Sequence, residues 1–273
     1  MSAADRKKIT VPRIGAMKVR CEPIAMITAY DATFAALVDE GGVDMILVGD
    51  TVGMVIQGHA NTLPVDLDEM AYHVRAVARA GCRALVVGDL PFGSYQVSPE
   101  HGVASAIQLM KAGAECVKLE GGTSMADTIA AMTRVDIPVV GHIGLTPQSY
   151  HRMGGHRVQG RVSGLEPGGR ERLLDDAFAV EQAGAFAVVV EGVPRDLAAE
   201  ITRKLSIPTI GIGAGPECDG QVLVLHDVLG LTGLQLTFTK QFADLRAEST
   251  SAAAAYVREV KDGTWPDDAH SFH

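Results

Sequence analysis

The chain has 273 residues, 47% of them hydrophobic and only 5% aromatic, with a formal net charge of −9. That length suits one large domain with a sizeable core, and the acidic balance argues against nucleic acid or an anionic membrane as the main partner. No apolar stretch reaches the 18 or so residues that a membrane span needs, the N-terminus has no signal-like apolar core, and the four cysteines form neither a CxxC pair nor a zinc spacing, so the expectation is a cytoplasmic protein with reduced thiols.

Read from the N-terminus, short apolar runs alternate with helix-like segments, the pattern of a parallel sheet with crossover helices. Strands are expected at Ile24–Ala29, Met45–Val48, Ala84–Gly88, Cys116–Leu119, Pro138–Gly141, Ala187–Val190, Thr209–Ile212 and Val222–Leu225. The runs carry no polar alternation, as strands covered on both faces do. Between them, Asp66 and Glu69 have the spacing of a capping box for a helix over Leu67–Ala80. Ser98–Pro99 opens a helix that stops at Gly113, Gly184 closes another, Pro194 opens one through Leu205, and an alanine-rich helix is expected over Ala243–Lys261. The whole chain, 1–273, reads as a single (β/α)8 barrel domain with a short N-terminal extension, 1–23, and a C-terminal helical segment from about 240. Two connections, Thr51–Leu63 and Gly144–Gly169, are long for simple crossovers, and long loops in compact domains often cover active sites.

The ends of these strands carry the chemistry. Asp50, Asp89, Glu120 and Glu191 each stand where an apolar run gives way to a glycine-bearing loop, and His142 is placed similarly. An isolated buried charge is costly, so several strands ending in one suggests convergence on a polar centre, which in a parallel barrel is the catalytic face. Three carboxylates aimed at one point, Asp50, Asp89 and Glu120, repel unless a cation lies among them or one holds a proton, and oxygen-only ligands select Mg2+. Capping or arginine pairing explains each acid separately. Lys118 and Glu120 are two apart on one strand and share a face. The lysine is suited to binding a carboxylate, neutralising an enolate or forming a Schiff base. Glu191 fits a general base or a further metal ligand. His142 fits an oxyanion donor or a structural hydrogen-bonding role. The glycines of Gly211–Gly215 fit a phosphate loop or only a tight turn.

Stretches over Met26–Asp31, Ile46–Val65, Val86–Tyr95, Lys111–Gly122, Pro138–Ser149, Val158–Arg161, Ile207–Leu231 and His270–His273 resemble the ketopantoate hydroxymethyltransferase family, in that family's order. The resemblance implies a TIM-type barrel of the phosphoenolpyruvate mutase/isocitrate lyase group. It implies Mg2+ held by Asp50, Asp89 and Glu120, with 3-methyl-2-oxobutanoate over Asp50, Thr51, Asp89 and Lys118, within reach of His142. Glu191 is then the proton acceptor, 5,10-methylenetetrahydrofolate the one-carbon donor, and the assembly a decamer. Thr51 replaces the family's usual serine and keeps the hydroxyl. Gly233–Phe242 is less similar, lacking the usual proline-lysine pair. The basic loop Gly144–Gly169, with His151, Arg152, His156, Arg157 and Arg161, is expected to meet the folate. The rivals are a Mg2+-dependent C–C lyase on a 2-oxo or 2-hydroxy acid and a non-catalytic metabolite-binding barrel.

Overall fold

Eight short runs of β-branched and other apolar residues form parallel strands in the computed structural model, which describes residues 7–233 and 236–272. The strands are β1 (Ile24–Thr28), β2 (Met45–Val48), β3 (Leu85–Asp89), β4 (Cys116–Lys118), β5 (Val139–Gly144), β6 (Ala187–Glu191), β7 (Thr209–Ile212) and β8 (Gly220–Leu223). They pair in chain order and close, with β8 back on β1, into a barrel. The first six residues of the expected N-terminal extension, Leu234–Gln235 of the less similar segment, and the terminal His273 lie outside the described residues.

Four strands differ from the expected bounds by one residue, and two depart by two or more. β5 runs on to Gly144, because residues Val140 to Gly144 pair in register with Ala187 to Glu191, so His142 lies within the strand and not after it. β8 begins at Gly220, two residues early, and the helix Leu225–Val228 takes over where the strand was expected to continue. A Cβ on Gly220 would stand 2.4 Å from the Ile24 carbonyl oxygen, so this glycine serves close strand packing.

Side-chain parity divides the core into two. Met45 and Leu47, Leu85 and Val87, Cys116, Val140, Ala187 and Val189 point into one cluster, the barrel interior, which Ile9 and the helix residues Ile14 and Met17 join. The alternate residues, Ile46, Val48, Val86, Val117, Val139, Val188 and Val190, pack in a second cluster with helix residues such as Met70, Leu109, Ile129 and Val180. This is the layered packing of a (β/α)8 barrel, with a filled centre.

The expected helix signals operate. Asp66 and Glu69 form a reciprocal capping box on Leu67–Ala78, and Ser98 caps Pro99–Ala112, which ends on a left-handed Gly113. The chain falls into two compact units, one ending at Val224 and one from Leu225 onward. The second contains an 18-residue helix, Leu245–Asp262, whose N-cap Asp244 accepts from the Ala247 N–H. Among the described residues no helix is long and apolar enough to cross a membrane.

Candidate active site

The inward parity of the strands continues past their apolar stretches into ionisable residues. Leu85 and Val87 are followed by Asp89, Cys116 by Lys118 and Glu120, Val140 by His142, and Ala187 and Val189 by Glu191. Because every strand runs the same way, these groups gather at the carboxyl ends. Asp50, two residues past β2, joins them.

The result is one buried chain of contacts across five strand ends. The Asp50 N–H donates to Asp89 Oδ2 at 3.2 Å, and Lys118 Nζ lies 2.6 Å from Asp89 Oδ1 and 4.0 Å from Glu120 Oε1. His142 stands between two carboxylates, with Nδ1 3.4 Å from Glu120 Oε1 and Nε2 3.2 Å from Glu191 Oε2. Asp50, Asp89, Lys118, Glu120 and His142 are all buried, while Glu191 is partly exposed. Thr51 is half-buried, its hydroxyl 2.8 Å from that of Tyr30. The structure thus brings every residue singled out at the strand ends to the same mouth.

The electrostatics follow from burial and crowding. Burial, then the charges of Asp89 and Glu120, push the Asp50 carboxyl up to about 8. Burial also raises Asp89, against the pull of Lys118. For Lys118 burial opposes the charge, but Asp89, Glu120 and Asp50 outweigh it and raise the ammonium. For His142 burial and Lys118 oppose protonation, yet Glu120 and Glu191 prevail and the imidazole is pushed up to about 9. Glu120 goes the other way, since His142 and Lys118 overcome its burial.

This balance tests whether the residues fit a metal. The cluster holds more acid than its cations neutralise, and Asp50 answers by keeping a proton. The donors are all carboxylate oxygens, which suit a hard dication, and Glu120 Oε1, like both ring nitrogens of His142, is buried near opposite charge but makes no hydrogen bond. Among the described residues no three Asp, Glu, His or Cys side chains close around one point as a ready-made cage. The residues fit a cation that keeps water or ligand oxygens in part of its shell, which is how Mg2+ is usually held.

Two residues that sequence reading missed tie the acids together. Gln148, from the loop after β5, donates from Nε2 to Asp50 Oδ2 at 2.9 Å and to the Leu90 carbonyl at 3.0 Å. Its backbone N–H donates to Glu120 Oε2 at 2.9 Å. The Tyr95 hydroxyl donates to Gln148 Oε1 at 2.6 Å and accepts from the Glu120 N–H at 3.1 Å. Burial holds that phenol well above its usual range, so it stays a donor. Gln148→Leu therefore leaves the Asp50 carboxyl and the Leu90 carbonyl short of a partner, while the Tyr95 hydroxyl keeps the Glu120 backbone. The expected cost is about 1–3 kcal/mol for each buried group left unpaired, read as a lower urea midpoint, and an unchanged midpoint would contradict it.

The glycines of the loop after β7 serve a turn: Gly213 and Gly215 have positive φ, and the Gly215 carbonyl accepts from Gln221 Nε2 at 2.9 Å.

Comparison with known proteins agrees over nearly the whole chain. The family model for ketopantoate hydroxymethyltransferase matches residues 8–268. A protein of Trichlorobacter lovleyi named 3-methyl-2-oxobutanoate hydroxymethyltransferase is 56% identical over 98% of this chain and 99% of its own. One of the same name from Burkholderia mallei is 53% identical over 100% and 99%. Among solved structures, a phosphonopyruvate hydrolase complex with oxalate and Mg++ aligns with a TM-score of 0.64 at 14% identity, covering 97% of this chain and 92% of its own. A 2,3-dimethylmalate lyase, described as a member of the PEP mutase/isocitrate lyase superfamily, aligns with a TM-score of 0.60 at 15% identity, over 96% and 91%. At such identities these two structures speak for the fold alone.

Proposed function

Because the chain belongs to the ketopantoate hydroxymethyltransferase family, we propose the following chemistry at its barrel mouth. The enzyme is a transferase that adds a hydroxymethyl group to 3-methyl-2-oxobutanoate, giving ketopantoate, with 5,10-methylenetetrahydrofolate as donor and Mg2+ as cation. The supporting observation is the run of adjoining ionisable groups from Asp50 to Glu191, buried as far as His142 and opening at Glu191.

Asp50, Asp89 and Glu120 would hold the ion, which when bound supplies Lewis-acid polarisation of the ketone and so acidifies the C3–H. The oxo acid lies over Asp50, Thr51, Asp89 and Lys118, and the Lys118 ammonium meets negative charge as it develops. Glu191 takes the C3 proton. His142 places its imidazole 3.2 Å from that carboxylate and 3.4 Å from Glu120, so the charges of the two acids are balanced through one ring. Gln148 and Tyr95 hold Asp50 and Glu120 in place before substrate arrives. Water adds to the methylene carbon of the donor and the C–N bonds to tetrahydrofolate break, C3 attacks the resulting formaldehyde carbon, and the proton held by Glu191 goes to the new alkoxide, giving the hydroxymethyl group.

Ketopantoate formation should require both the folate donor and a divalent ion. Undiminished product after chelation would remove the metal from the account. Release of a C–C cleavage product without folate would favour a lyase instead.

The surplus of acid gives a pH signature. Without metal, Asp50 holds its proton up to about 8, and that proton must leave before the carboxylate ligates. Mg2+ affinity should fall as pH drops from 8 to 6, by up to about tenfold per unit. Calorimetry in buffers of different ionisation enthalpy should show proton release on binding. Affinity that ignores pH, with no proton released, would contradict this.

We also place the enzyme in the cytoplasm, as a decamer of two stacked pentamers. Light scattering should give ten times the 28.7 kDa chain mass.

A further inference from the structure

Beside the acid network lies a separate chamber of about 440 Å³, whose inner wall is Tyr95, Glu120 and Gln148. A ligand there would border the network directly. That volume falls in the ordinary range for small-molecule sites. Its sides are apolar, formed by Met125, Met153 and Leu173, and Arg152 also lines it, with an exposed guanidinium.

One acid outside the network lines this chamber. Asp176, on the helix Arg170–Gln182, accepts from the Thr123 N–H at 2.8 Å and the Thr123 hydroxyl at 2.9 Å, and faces Arg172 Nε at 3.2 Å. All three partners meet Oδ1, which leaves Oδ2 for a ligand. The loop after Glu120 is built to bring this about. Gly121 has φ +131°, and a Cβ on Gly122 would stand 2.1 Å from Asp176 Cβ, so only glycine lets the backbone lie on that side chain.

An apolar slot with an acceptor-only carboxylate on its wall and two guanidiniums among its lining groups, Arg152 and the Asp176 partner Arg172, has a definite chemical complement. It fits a flat heterocycle that offers adjacent N–H donors on one edge and carries an anionic tail. A reduced pterin has those donors on its 2-amino-4-oxo-pyrimidine edge, and its glutamate tail supplies the anion. We propose that the chamber is the donor's site, with Asp176 binding the pyrimidine edge and Arg152 the tail carboxylates. This rests on the folate reading given above. Of the basic residues of Gly144–Gly169, Arg152 is the one that lines the chamber, whereas Arg157 and Arg161 do not.

Two variants test it in the full-length enzyme. Asp176→Asn removes the charged acceptor, and Ser124→Trp fills the chamber from an exposed position that packs no core. Both should raise the KM for 5,10-methylenetetrahydrofolate by about tenfold or more, the size of one charge-assisted hydrogen bond. Both should leave the KM for the oxo acid, and its folate-free C3–H exchange with solvent, within about twofold of the parent. An unchanged donor KM in both variants overturns the chamber assignment. So does loss of the exchange along with donor binding, since these residues would then support the whole mouth. Failure of the parent enzyme to consume the folate would instead overturn the underlying function.

Discussion

Replacing Glu191 by glutamine is expected to lower turnover by about 10²–10⁴, the usual contribution of a positioned general base. The substitution keeps the shape and removes the proton acceptor. Its neighbour His142 sits 3.2 Å from Glu191 Oε2 and is already held protonated by the two carboxylates beside it, so it has no lone pair with which to take over. The loss should fall on kcat, with oxo-acid affinity retained, because binding is assigned to Asp50, Thr51, Asp89 and Lys118. Exchange of the C3 proton with deuterated solvent, followed by NMR without folate, isolates the step. Exchange at the parent rate in Glu191→Gln would assign the base elsewhere.

Lys118→Met should have a comparable effect on activity and a larger one on stability. The ammonium is buried 2.6 Å from Asp89 Oδ1, and removing one partner of a buried pair typically costs about 3–5 kcal/mol, because the other charge is left uncompensated. The variant's stability should also depend on pH in a defined direction. Burial raises Asp89 even with the lysine present, and without it the carboxyl rises further. A carboxyl with a folded-state pKa above its unfolded value binds a proton on folding, so stability is greatest at low pH and is lost as pH rises through the folded pKa. Urea unfolding of Lys118→Met at pH 5 and pH 8 should show the larger deficit at pH 8. An equal deficit at both would mean that Asp89 finds another partner.

Much of this site was legible before any coordinates. Lys118 and Glu120, two apart, share the inward face of β4, and the same period of two carries Val87 to Asp89 and Val189 to Glu191. Burial made these charges conspicuous, since apolar runs seldom end in acids without cause. What was not legible has equally physical reasons. His142 reads as lying beyond its strand because pairing along Val140–Gly144 is a property of two strands together. Gln148 carries no charge, and its partners Asp50 and Leu90 are 98 and 58 residues away, so no local pattern exposes it. Asp176 looks like one more acid on the solvent face of a helix, and only the bare backbone of Gly122 against it reveals its position.

The most direct test is a crystal structure of the enzyme with 3-methyl-2-oxobutanoate and Mn2+ in place of Mg2+, read by anomalous scattering. A single strong peak is expected at the mouth, among the carboxylate oxygens of Asp50, Asp89 and Glu120, with C3 of the oxo acid facing Glu191. A bound oxo acid with no ion among those carboxylates, or an ion held elsewhere, would contradict it.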